Sequence, residues 1–205
     1  NASHELRSPL TRMRMSLELM GDQPSPAARA EISRNIAELD QLIDEILLAS
    51  RLDASEADMG TIEAVDLTGL AAEECARVDA ELDLVAGTDN AALTVPGVSR
   101  LLRRAIRNLL ENARRYGAGE ISVELGSAGG QATVRVNDRG PGVPAALRDR
   151  IFEPFYRLPG ASERNGGVGL GLALVKSITE RHGGTVRCED RPGGGASFVI
   201  RLPRG

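Results

Sequence analysis

Tryptophan is absent from this 205-residue chain, and three Phe and two Tyr are its only aromatic residues. Base-stacking platforms need more aromatic surface than that. With 25 Lys and Arg against 29 Asp and Glu, the chain carries a net charge of −4, without the basic footprint of a nucleic-acid binder. Cysteine is as scarce. Cys75 and Cys188 stand far apart with no His or Cys at ligand spacing, so neither a zinc site nor a disulfide framework is readable, which suits a reducing compartment. No apolar run approaches the roughly 18 residues that span a bilayer, and no signal peptide reads at the N-terminus. The chain opens at Asn1 inside a helical pattern and without an initiator Met, so we expect a fragment of a longer protein. What is left is an ordinary globular balance, 41% hydrophobic and 26% charged, enough for one large domain or two small ones.

The first 52 residues carry a heptad signal. Leu6, Leu10, Met13, Leu17 and Met20 alternate spacings of four and three, the seam of a coiled coil. Gly21 to Pro26 breaks the pattern with turn residues, and it resumes at Ile32, Ile36, Leu39, Ile43 and Ile46, widened by Leu42 and Leu47. Two amphipathic helices joined by a short turn make a hairpin, and one hairpin cannot cover both stripes. Two copies can, so the expectation is a homodimeric four-helix bundle built from residues 1–52. Residues 53–61 are small, polar and acidic and read as a linker; residues 62–205 read as a mixed α+β domain. Within it we expect strands at 62–67, 93–95, 120–125, 131–137, 185–190 and 196–202, and helices at 68–86, 98–116 and 170–181, with a long Gly-, Pro- and Arg-rich loop over 138–166.

His4 lies roughly 160° from the apolar seam at about 100° per residue, so it faces solvent. An exposed His on a helix is commonly a surface or capping residue. Here Glu5 would orient the imidazole, and Pro9 clashes with the carbonyl of Glu5, which marks a distorted turn. Ser8, Thr11 and Met15 share that face. His182, before Gly183 and Gly184, reads as a structural helix end. Asn108 and Asn112 lie four apart with Arg115 on the same stripe; such amides either cap a neighbouring loop or help hold a hard cation such as Mg²⁺. Asp138 follows an apolar strand, and Gly140 and Gly142 follow it; this is an ordinary turn, or a carboxylate accepting from an exocyclic amine while a flat ring lies on the backbone. Gly167, Gly169, Leu170 and Gly171 open a helix whose free N–H groups suit phosphate, but neither a dinucleotide fold nor a P-loop is supported.

The order of these segments resembles that of bacterial sensor histidine kinases over nearly the whole chain. His4 to Leu10 resembles the phosphoacceptor box, Asn108 to Tyr116 the Asn box, Asp138 to Gly142 the first Gly box, Phe152 to Arg157 the Phe box, and Gly167 to Leu172 the second Gly box. The resemblance implies a dimerisation and phosphotransfer hairpin followed by a Bergerat-type ATP-binding domain, an α/β sandwich. It implies that Asp138 binds the adenine amine, that Asn108 and Asn112 face Mg²⁺ and phosphates, and that Arg115 and Tyr116 lie near the nucleotide. Residues 143–166 would be the ATP lid, anchored by Phe155, with Arg157 near the γ-phosphate and Gly167, Gly169 and Gly171 along the phosphates. His4 would take the phosphoryl group with Glu5 assisting, then pass it to an Asp of a response-regulator receiver domain. Ser8 stands where many relatives carry the Thr or Asn linked to phosphatase activity, and Val168 where Thr is common. The parent protein would be an inner-membrane sensor of which this is a cytoplasmic part. A nucleotide-binding scaffold would be marked by a lost His, Asn or Gly, and none is lost; a gyrase- or chaperone-type ATPase uses a carboxylate where Asn108 stands.

Overall fold

The computed structural model describes residues 11, 13, 15, 26–53, 60–85, 93–117, 119–159 and 169–204. The chain divides into two compact units, residues 1–50 and 51–205.

The first unit is described chiefly through helix α1, Pro26–Asp53. Proline at the first helical position has its φ already set and no N–H to leave unpaired. Along α1 the heptad stripe divides in two. Ile32, Leu39 and Ile46, seven apart, are half-buried, whereas Ile36, Ile43 and Leu47 remain 47%, 47% and 50% exposed. In the preceding segment Thr11, Met13 and Met15 are helical, Met13 half-buried and Met15 exposed, as the seam requires. His4, Glu5, Ser8, the rest of that first arm, the turn over 21–25 and most of the expected linker (54–59) lie outside the described residues.

The second unit places helices on one face of a five-stranded sheet. The elements are β1 (Glu63–Asp66), α2 (Leu67–Ala76), β2 (Glu81–Leu84), β3 (Thr94–Gly97), α3 (Ser99–Tyr116), β4 (Ser122–Ala128), β5 (Gln131–Asn137), α4 (Gly171–Arg181), β6 (Thr185–Asp190) and β7 (Ala196–Pro203). The sheet order is β2-β4-β5-β7-β6, with β2 parallel to β4 and the other pairs antiparallel; β1 and β3 form a separate antiparallel pair. The expected loop over 138–166 holds two single 3-10 turns, Ala145–Leu147 and Arg150–Phe152.

Alternation builds the core. Val123 and Leu125 of β4, Val134 and Val136 of β5, and Phe198 and Ile200 of β7 are buried toward the helices. Leu101, Leu102, Ala105, Ile106, Leu109, Leu110 and Ala113 give α3 its buried stripe. Burial pushes the Cys75 thiol up to about 11 and the Cys188 thiol up to about 12, so neither is a reactive thiolate.

One expected element is corrected. The Ala- and Glu-rich helix over 68–86 ends at Ala76: Val78 and Ala80 both donate their N–H to the Cys75 carbonyl, and Asp79 turns the chain with φ +57°. Residues 81–84 then pair with β4, Glu81 opposite Ser122, so tertiary pairing overrides local helix preference.

Two polar braces cross this core. Glu74 is 1% exposed and accepts from Arg107 Nε and Nη2, both at 2.8 Å, and from Arg103 Nη1 at 3.2 Å, tying α2 to α3. His182, at the end of α4, accepts the Val98 N–H on Nε2 at 3.0 Å; the proton is therefore on Nδ1, which donates to the Ile178 carbonyl at 2.7 Å. The helix-end histidine thus also caps the start of α3.

The hydrogen bonds from Arg107, above all, hold the Glu74 carboxyl below its ordinary value of 4.5. We expect Glu74→Gln to lower stability by about 2 kcal/mol near neutral pH, since both arginines stay partly solvated. A carboxyl lowered by folding stabilises fully above its unfolded pKa and loses that contribution as pH falls through the folded one. Urea midpoints of the two proteins should therefore differ at pH 7 and converge only in acid below the carboxylate range.

Candidate functional site

The site is assembled where β5 ends. Asp138 is 5% exposed; its N–H donates to the Ala196 carbonyl at 3.0 Å. Its Oδ1 accepts the Gly140 N–H at 2.8 Å and the Ala196 N–H at 3.3 Å. Oδ2 makes no hydrogen bond among the described residues. A buried carboxylate with one oxygen saturated by backbone and the other open is set to accept from a ligand donor.

Close backbone packing around it leaves no room for side chains. A Cβ on Gly140 would lie 2.6 Å from the Tyr116 carbonyl and 3.0 Å from the Gly117 Cα. One on Gly117 would lie 2.8 Å from the Asp138 Cβ, and one on Gly195, at φ +105°, 1.9 Å from the Asp138 carbonyl. The end of α3, the turn after β5 and the β6–β7 turn are thereby pressed together around one carboxylate. Gly142, at φ +73°, adopts a conformation that favours glycine and packs against Gly195.

On α3, Asn108 is buried and its Nδ2 donates to the Gly171 carbonyl at 3.1 Å, which ties α3 to the first residue of α4. With Nδ2 so used, Oδ1 is the atom left for a cation or its water. Asn112, one turn on, and Tyr116 are half-buried, and Arg115 is exposed. Gly171 opens α4, which has neither a side-chain cap nor an acidic residue in its first turn, so its free N–H groups suit an anion. Leu170 is buried in the core and offers backbone only.

The Phe-box segment joins the same point. Phe155, at φ +63°, donates its N–H to the Gly169 carbonyl at 3.0 Å. Gly169 itself sits at φ +75°, where a Cβ would be 2.9 Å from the Phe155 carbonyl carbon. Arg150 stacks 4.5 Å over the Tyr156 ring, and Phe152 meets Phe198 edge-on at 6.4 Å, which fixes the segment to the sheet. Arg157 is half-buried. Gly167, Val168 and the part of the expected lid over 160–166 lie outside the described residues.

The structure thus pairs Asp138 with Gly140, Asn108 with Gly171 and Phe155 with Gly169. Gly117 and Gly195 were not singled out in the sequence, because nothing local shows that their neighbour is the Asp138 backbone. Among the described residues no group of three or more His, Cys, Asp or Glu could hold a metal ion alone.

Residues 97–205 match the family described as histidine kinase-, DNA gyrase B- and HSP90-like ATPase, and residues 1–55 match the His Kinase A (phospho-acceptor) domain. The sensor protein RstB of Escherichia coli (strain K12) is 38% identical over 212 residues, covering 98% of this chain and 47% of RstB. The chain spans about half the length of the curated relatives it matches. The solved structure of the mycobacterial sensor histidine kinase MprB is 31% identical, with a TM-score of 0.57 over 70% of this chain and 97% of that one. The Acinetobacter baumannii histidine kinase AdeS, at 21% identity and a TM-score of 0.80 over 98% of each chain, shares the fold. A phospho-acceptor domain thus precedes an ATP-binding α/β sandwich whose motif glycines enclose one carboxylate, and the chain belongs to the sensor histidine kinases.

Proposed function

We propose that this chain is the kinase core of a two-component sensor: His4 takes the γ-phosphoryl group of ATP and passes it to an aspartate of a response regulator. The observation that carries the reading is the contact set joining Asp138 to Gly140, Gly117 and Gly195, Gly140 to Tyr116, Asn108 to Gly171, and Phe155 to Gly169. These contacts connect four motifs that lie far apart in the sequence.

The open Oδ2 of Asp138 suits the amine of adenine, and the glycine backbone around it admits a flat ring. The uncapped start of α4 suits phosphate. Magnesium suits the amide oxygens of Asn108 and Asn112 and, when bound, neutralises phosphate charge. With ATP so held, positioning and charge neutralisation supply most of the catalysis. His4 Nε2 forms its bond to the γ-phosphorus as the bond to the ADP oxygen breaks, and Glu5 holds the Nδ1 side. Asn108 is an amide and cannot act as a base toward water, which favours transfer over hydrolysis. Arg115 and Arg157 lie on the segments that would adjoin the phosphates, and Ser8 offers a hydroxyl for regulator dephosphorylation.

The outward Ile36, Ile43 and Leu47 of α1 suit pairing with a second copy through residues 1–52. The exposed Thr11 and Met15 suit a receiver domain. No helix among the described residues is long and apolar enough to cross a membrane. We place the chain on the cytoplasmic side of an inner-membrane sensor.

With ATP labelled at the γ-phosphate, His4→Gln should abolish acid-labile labelling and leave ATP affinity nearly unchanged, whereas Asn112→Ala should weaken both together; label surviving on His4→Gln overturns the reading. A charge at Met15 should slow transfer to the regulator and spare self-labelling. Glycine geometry gives a further contrast. A Cβ at Gly171 meets nothing closer than 3.8 Å, so Gly171→Ala should melt like the wild type yet bind ATP less tightly. Gly140→Ala forces backbone apart and should cost about 2 kcal/mol or more in thermal unfolding.

A further inference from the structure

Behind Asp138, on the opposite face of the sheet, lies a polar network that the reaction does not touch. Ser122, Asn137 and Ser197 occupy one register row across β4, β5 and β7, and are 8%, 2% and 1% exposed. Asn137 uses its whole amide. Its Oδ1 accepts from Ser197 Oγ at 2.6 Å, and its Nδ2 donates to Glu124 Oε1 at 2.8 Å and to Ser122 Oγ at 3.4 Å. Arg135 covers the network by bridging Glu124 at 3.8 Å and Glu189 at 2.9 Å.

Burying three polar side chains in one row is costly unless every group is paired, and here they are. An apolar row would hold the strands together as well, so strand adhesion alone does not account for it. What the network does is fix two strand ends in one register at the last paired residues before the site. Asn137 precedes Asp138, and Ser197 follows Ala196, whose N–H and carbonyl both bind Asp138. The Ser197–Asn137 hydrogen bond thus locks the segment that aims the carboxylate.

We propose that Asn137 is a positioning residue for nucleotide recognition: clamped between Ser197 and Glu124, it sets the placement of Asp138 and hence discrimination for the adenine base, without touching the ligand. This rests on the reading above that Asp138 receives the adenine amine. Losing the clamp weakens binding of the base and leaves phosphoryl transfer from a saturated site intact.

The test compares the 205-residue chain with Asn137→Ala, with the milder Ser197→Ala, and with Val134→Ala as a core variant of the same sheet that lies away from the network. Dissociation constants are measured for ATP and for inosine triphosphate, whose base has a carbonyl oxygen in place of the amine, and labelling rates are followed against ATP concentration. For Asn137→Ala we expect ATP affinity to fall about tenfold, the scale of one lost buried hydrogen-bond partner. Preference for ATP over inosine triphosphate should fall with it, KM should rise, and the saturating rate should stay within about twofold; Ser197→Ala should act in the same direction. A loss of thermal stability like that of Val134→Ala with nucleotide preference unchanged, or a fall in saturating rate at unchanged KM, would overturn the proposal. Asp138→Asn separates the two levels. If it loses the preference while Asn137→Ala keeps it, the positioning role alone fails; if Asp138→Asn keeps it, the adenine reading fails and the positioning role falls with it.

Discussion

One carboxylate with a single saturated oxygen sets the architecture around it. Asp138 gives Oδ1 to the N–H groups of Gly140 and Ala196 and keeps Oδ2 unspent. Holding that arrangement requires three backbone segments to approach closer than any side chain allows, so Gly117, Gly140 and Gly195 follow from the carboxylate's burial. The glycines serve here as spacing before they serve as ligand contacts. That accounts for site glycines standing where no ligand contact need be invoked, Gly195 on the far turn above all.

Much of this was legible in the chain itself. The stripe of α3, the strand over 131–137, the strand over 185–190 and the order of the motifs follow from periodicity and breaker residues, which are local signals. The correction at 77–85 is equally physical. Ala and Glu favour helix, and what ends α2 at Ala76 is the carbonyl of Cys75 and the left-handed Asp79, while what makes 81–84 a strand is β4, paired from Glu81 with Ser122 to Leu84 with Leu125. His182 reads from sequence as a helix end, and it is one, but its bond to Val98 spans 84 residues and no spacing rule contains it. Asn108 shows the limit most clearly. Holding a neighbouring loop and binding a cation are open alternatives from sequence; the structure spends the nitrogen on the Gly171 carbonyl and leaves the oxygen uncommitted to that bond.

Rigidity is distributed unevenly. Glu74 with its arginines and His182 with Val98 brace α3 from both neighbours, so the Asn stripe stands on a fixed helix. The Phe-box side is held to the sheet through Phe152 and joins Gly169 by a backbone hydrogen bond between two residues with positive φ, Phe155 and Gly169. A non-glycine residue in that region costs on the order of 1 kcal/mol or more and persists only where its surroundings impose it. On the proposed reading, the base-binding end of the site is built on packed helix and strand termini, and the phosphate end on a turn with two positive-φ residues.

The chemistry of the metal follows from the same inventory. A site that bound Mg²⁺ by itself would need a cage of carboxylates, and no such group exists among the described residues. If Asn108 and Asn112 hold the ion as proposed, two amide oxygens are too weak to dehydrate it, and the phosphates would supply further ligands and the charge. On the proposed reading the metal and nucleotide then bind as one species, and affinity for the metal is set by how well Asp138 and the glycines hold the base. Recognition of adenine, at one end of the site, becomes the condition for charge neutralisation at the other. On that reading, phosphoryl chemistry is committed when the whole nucleotide is in place.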